Sequence, residues 1–212
     1  MTYARDERAA LAALLLETGP DGPTLCEGWQ TRDLAAHLVL RERRPDAGLG
    51  SMGGPLVGHN ARVQRQYLDK YSYPQLVALF QAGPPMLSPY AIPGADNAFN
   101  TVEFFVHHED VRRAAPGWTE RELPDGINDV FWRQLRGARF LLRSAPTGVV
   151  LAWELPDGMR GATRNVKDAS PSVTVTGAPA ELALWSFGRV SAAHVTLDGP
   201  DEAVARLAAW RQ

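Results

Sequence analysis

NAFNTVEFFVHHEDVRRA, residues 97–114, is the stretch on which the reading of this chain turns. Its pattern predicts a helix from about Ala98 to Ala115. On a helix, Glu103 and His107 stand one turn apart on one face. With Glu103 at zero on a helical wheel, His107 lies about 40° away and Asp110 about 20° to the other side. His108 points more than about 90° away from His107, so it is read as a wall or surface residue. A carboxylate and an imidazole on the inward stripe of an otherwise apolar helix are costly to bury unless something pairs them. A shared metal ion would do so, with Asp110 as a hydrogen-bonding support for a ligand.

A third ligand is found upstream, in GWQTRDLAAHLVLRERRPD, residues 28–46. Thr31 is a candidate N-cap for a helix from about Arg32 to Arg44, with Pro45 near its end. His37 lies between Leu34 and Leu38 on the stripe expected to face a helical core. Arg41 sits one turn further on the same face, where it could meet an anionic substrate or cofactor, or a ligand carboxylate. His37, Glu103 and His107 together make a two-His-one-Glu set. Such a set suits Zn²⁺ or a similar divalent metal and leaves one position open.

Each residue also has a purely structural reading. Asn100 and Glu103 fit a capping box at a helix start. His37 alone is more often a hydrogen-bonded core histidine, and Arg112 and Arg113 suit the negative end of the helix dipole. Cys26 reads best as a small buried apolar residue. His59 and His194 lack partner spacing; His59 is expected near a helix start and His194 in a short strand.

The 212 residues, 45% of them hydrophobic, suffice for one sizeable core or for a core plus a small second domain. A net charge of −2 argues against a nucleic-acid partner. With a single cysteine no intrachain disulfide forms, which fits a cytoplasmic protein. Residues 4–17 read as an amphipathic first helix rather than a signal peptide, and no stretch is long and apolar enough to span a membrane. Further helices are expected over about 59–70, 74–82 and 124–143, with loops at 48–58 and 83–94. After Ser144 the character changes. TGVVLAWELP, SVTVTG and AHVTLDG read as strands, between helix-like ELALWSFGRV and DEAVARLAAW. The expectation is an α+β chain: a helical metal-binding domain over 1–145 and a small α/β domain over 146–212.

C-x-G-W-x-T-R-D-L-A-A-H-L at Cys26–Leu38, followed by E-x-x-x-H at Glu103–His107, resembles the mycothiol-dependent maleylpyruvate isomerase family of the DinB-like superfamily. The resemblance implies a DinB-like four-helix bundle that holds a metal on His37, Glu103 and His107, followed by a short C-terminal α/β domain, sterol-carrier-like in broad pattern. It gives Trp29, Asp33 and Leu34 a packing and capping role. It also implies zinc, or nickel, as the metal, mycothiol as a low-molecular-weight thiol co-substrate, and a small-molecule substrate. The expected activity is that of a thiol-dependent transferase or isomerase acting on small electrophiles through a metal-activated thiolate. A metal-binding protein without catalysis, or a small-molecule carrier with its pocket in residues 147–212, are the competing readings.

Overall fold

The computed structural model describes residues 2–44, 46, 57–86, 88 and 95–210. They form two compact units, Met1–Glu120 and Arg121–Gln212. The architecture is α+β: helices with one four-stranded sheet. No described helix is long and apolar enough to cross a membrane.

The first unit is helical: α1 (Tyr3–Thr18), α2 (Thr31–Arg43), α3 (Val57–Lys70), α4 (Tyr73–Gln81) and α5 (Ala95–Arg112). α1 is amphipathic, and its buried residues Ala4, Arg8, Leu11, Ala12 and Leu15 recur at helical spacing. α2 is buried almost all round, from Leu34 through Leu40, because α1, α3 and α4 all pack on it. Its start differs from the expectation. Gln30, not Thr31, is the cap: the Asp33 carboxylate accepts the Gln30 N–H at 2.9 Å. The Thr31 hydroxyl instead ties down the preceding turn, donating to the Gly19 carbonyl and accepting the Gly22 N–H. The loops expected at 48–58 and 83–94 lie largely outside the described residues.

Arg8 stands in the middle of the core-facing stripe of α1. It makes a two-pronged ion pair with Glu42 of α2, at 2.7 and 2.6 Å, and donates to the Phe80 carbonyl at 3.0 Å. Its guanidinium carbon lies 4.6 Å from the centre of the Phe104 ring. The core here, Leu11, Leu15, Leu34, Leu38, Leu76, Phe80 and Phe104, closes around this charged pair.

The second unit joins α6 (Ile127–Gln134), a 3-10 turn (Leu135–Gly137) and α7 (Ala138–Leu141) to β1 (Gly148–Glu154), β2 (Arg160–Lys167), β3 (Ser172–Gly177), α8 (Pro179–Ser186), β4 (Thr196–Asp198) and α9 (Asp201–Ala209). The sheet order is β2-β1-β3-β4; β1 is antiparallel to β2 and parallel to β3, and β3 is antiparallel to β4. β1 and β3 bury Val149, Leu151, Val173 and Val175. The helix expected over 124–143 is broken by the 3-10 turn. This segment packs on α8 and β2, and Arg164 of β2 donates to the Trp132 carbonyl. So the compact units part at Glu120, whereas the change in sequence character falls near 145. β2 was not expected. Seven of its eight residues are exposed or half-buried and most are polar, so it lacks the apolar alternation of a half-buried strand. His194 sits just before β4 rather than within a strand, and its N–H donates to Glu181.

Glu42→Ala strands the Arg8 guanidinium in the core, and we expect it to cost about 3–5 kcal/mol of unfolding free energy. Arg8→Met/Glu42→Leu should recover most of that loss. Urea unfolding of the three proteins checks this; equal stability of Glu42→Ala and the parent would show that the pair is not buried in solution.

Candidate metal centre

α5 is buried along its whole inner length. From Asn100 to Val111 every residue is buried except Glu103, which is half-buried. The polar residues on this helix are therefore paired in the interior, and Glu103 marks where the interior opens. The capping-box reading of Asn100 and Glu103 fails because the helix begins at Ala95. Asn100 is instead a fully buried link: its amide donates to Glu42 at 3.2 Å and its oxygen accepts from Arg41.

His37 of α2 meets Glu103 and His107 of α5. His37 Nε2 lies 3.6 Å from Glu103 Oε1, and His107 Nε2 lies 3.4 Å from the same oxygen. The two imidazole centres are 5.1 Å apart, edge to face. These separations are long for hydrogen bonds. They match the donor–donor edge of about 3.4 Å in a tetrahedral site with bonds of about 2.0–2.2 Å. The three atoms could hold one cation together. The side chains of His37 and His107 are 5% and 9% exposed against 18% for Glu103, so the cluster opens on the carboxylate side. His37 Nδ1 is buried without a hydrogen-bond partner among the described residues, and the Trp29 ring packs 5.1 Å from the imidazole.

The other nitrogen of His107 is tied down. Nδ1 lies 2.8 Å from Asp110 Oδ2, and that carboxylate also accepts the Cys26 thiol at 3.1 Å. With a proton on Nδ1, the Asp110 bond turns Nε2 towards Glu103 and His37; a carboxylate behind a ligating histidine does this in metal sites generally. Arg41 Nε lies 3.2 Å from Glu103 Oε1, so Arg41 pairs with the candidate ligand carboxylate.

Electrostatics follow from this geometry. Burial pushes the His37 pKa down, outweighing the opposing pull of the nearby Glu103 carboxylate. Burial would also lower His107, but its bond to Asp110 and the neighbouring Cys26 and Glu103 outweigh that and hold it well above 6.5. Burial would raise Glu103, but Arg41, His107 and His37 together hold it well below 4.5. Without a cation these shifts favour the ionised form of Glu103, the protonated form of His107 and the neutral form of His37.

Sequence reasoning undervalued two residues. Cys26, read as packing, joins the Asp110–His107 pair; its distance in sequence hid this. His108 is neither wall nor surface: it is buried and its Nδ1 lies 2.8 Å from Glu7 of α1. Arg112 and Arg113 bind Glu109, at 3.0 and 2.6 Å, rather than acting on the helix dipole alone. His59 stands near the start of α3, 3.0 Å from Asp46.

Residues 2–49 match the family model described as mycothiol maleylpyruvate isomerase N-terminal domain. The match includes Trp29, His37 and Arg41. Two solved structures share the fold: the mycothiol-dependent maleylpyruvate isomerase, at 18% identity and a TM-score of 0.57, and a mutant of it, at 16% and 0.56. Each alignment covers 92% of this chain and 90% of the other. No curated protein matches the chain. The domain and the fold agree with the DinB-like resemblance read from the two motifs.

In chelator-treated protein, histidine ring NMR should show His107 still protonated above its ordinary pKa and His37 still neutral below it. Asp110→Asn should bring His107 down towards 6.5, the ordinary value. A His107 titration unmoved by Asp110→Asn would remove Asp110 as its partner.

Proposed function

We propose that His37, Glu103 and His107 hold one divalent cation, zinc or nickel, and that the protein is a thiol-dependent transferase or isomerase acting on small electrophiles. Three donors from two helices meeting around one point, spaced as a tetrahedral edge and open on the Glu103 side, are the observation that carries this reading. The donor set fits the ion: two imidazoles and a carboxylate suit a borderline divalent metal and leave a fourth position free. The likeness of residues 2–49 to the mycothiol-dependent family supports mycothiol as the thiol.

When bound, the cation supplies positive charge that favours the thiolate form of a thiol placed beside it. The protein's own residues set the conditions for that step. Asp110 holds the His107 ring with Nε2 turned inwards. Arg41 anchors Glu103 and presents a guanidinium to an anionic group on the thiol or the electrophile. Trp29 and the leucines of α2 exclude water behind His37. The thiolate attacks an electrophilic carbon. Addition to an activated double bond, rotation and expulsion of the same thiolate isomerise the substrate and return the thiol. Addition followed by loss of a leaving group, or by protonation, gives an S-conjugate.

Elemental analysis of protein purified without a histidine tag should find a divalent metal bound at the cluster. Because His107 must give up its proton at Nε2 to become a ligand, affinity should fall as pH drops. Asp110→Asn should weaken metal binding by about 10–100-fold. Turnover of an electrophile with a low-molecular-weight thiol should require metal and be abolished by His107→Ala. Tight metal binding with turnover indifferent to His107→Ala would defeat the catalytic reading.

A further inference from the structure

A second group of donors stands directly behind the first. Cys26 Sγ, His107 Nδ1 and Asp110 Oδ2 come together from the loop before α2 and from α5, and each could supply one atom to a single ion. The backbone locks the two segments in this relation: the Leu25 N–H donates to the Asp110 carbonyl at 3.0 Å. Asp110 is fully buried, and Cys26 is half-buried, so the group has a solvent side. One sulfur, one imidazole nitrogen and one carboxylate oxygen form a donor set typical of zinc-class ions.

We propose that Cys26, His107 and Asp110 form a second, sulfur-containing cation site that shares the His107 ring with the first. Its sharing of that ring rests on the reading above; the sulfur site itself does not. Today the three atoms are held by protons, at 3.1 and 2.8 Å. A tetrahedral ion needs donor separations of about 3.4–3.6 Å, so the loop bearing Cys26 must draw back and the His107 and Asp110 side chains must part, each by about half an ångström. Loading breaks the S–H bond of Cys26 and the Nδ1–H bond of His107, releases both protons to solvent, and forms bonds from sulfur, nitrogen and oxygen to the ion. With both sites filled, His107 is an imidazolate between two dications. Their four positive charges are then matched by Glu103, Asp110, the Cys26 thiolate and that imidazolate.

Cobalt(II) titration of the full, chelator-stripped chain reads this directly, because cobalt bound to a thiolate absorbs in the near ultraviolet and cobalt bound only to nitrogen and oxygen does not. The parent protein should develop that charge-transfer band and take up a second equivalent with it. Cys26→Ser should lose the band and one equivalent while keeping the weaker visible bands of the first site. His37→Ala should keep the charge-transfer band, since His37 is not in the sulfur site. Far-ultraviolet circular dichroism establishes that each variant is folded, with Cys26→Ala as the alternative should serine perturb the loop. Cobalt uptake by the parent with no charge-transfer band overturns the proposal. A band in the parent with no cobalt retained by Cys26→Ser supports the sulfur site and defeats the first-site reading instead.

Discussion

A continuous file of polar side chains runs through the interior of the helical unit, and the rest of that unit is arranged around it. Arg8 of α1 pairs with Glu42 of α2; Glu42 meets Asn100 of α5; Asn100 meets Arg41; Arg41 meets Glu103. From Glu103 the file continues through His107 and Asp110 to Cys26. Positive and negative groups alternate along most of its length. A buried charge is tolerable only when its neighbours satisfy it, and removing one member exposes the next to an uncompensated field. The file therefore stitches α1, α2 and α5 into a single register, because each helix contributes members that only the others can satisfy.

This constraint explains how the candidate metal centre is held. Arg41 Nε and both imidazole Nε2 atoms converge on Glu103 Oε1, so the carboxylate has little freedom. His107 is gripped at Nδ1 while Nε2 faces the cluster. His37 is the least constrained of the three by polar contacts, and the Trp29 ring and the leucines of α2 orient it by packing. Such a cluster is partly pre-organised: both imidazoles already stand from Glu103 Oε1 at separations close to those an ion would impose. Arg41 from outside the cluster, together with His107 and His37 within it, stabilises the Glu103 carboxylate.

Much of this was legible in particular residues. The i, i+4 spacing of Glu103 and His107 indicated one face, and the Leu34–His37–Leu38 stripe indicated that His37 points inwards. Asp110 was legible as a support for His107 because it falls on the same wheel sector. Cys26 was not, because contact between a loop and a helix more than eighty positions later leaves no periodic trace. Asn100 misled, since an Asn three residues before a Glu has the same pattern at a helix start and inside a helix. β2 was illegible for a different reason: only Val166 of its residues is buried, so burial placed no alternation on them.

What the chain determines by itself is local and periodic: which segments are helical, which faces are apolar, and which polar residues lie on those faces. Helix geometry makes that information readable, because side chains three and four apart must be neighbours. Which polar residues meet is a matter of tertiary structure alone. Arg41 could as well have faced a ligand as Glu103, and Glu42, adjacent to it in sequence, belongs to a different partner on α1. Those choices are made when helices pack, because only then do buried charges lose water and have to find each other.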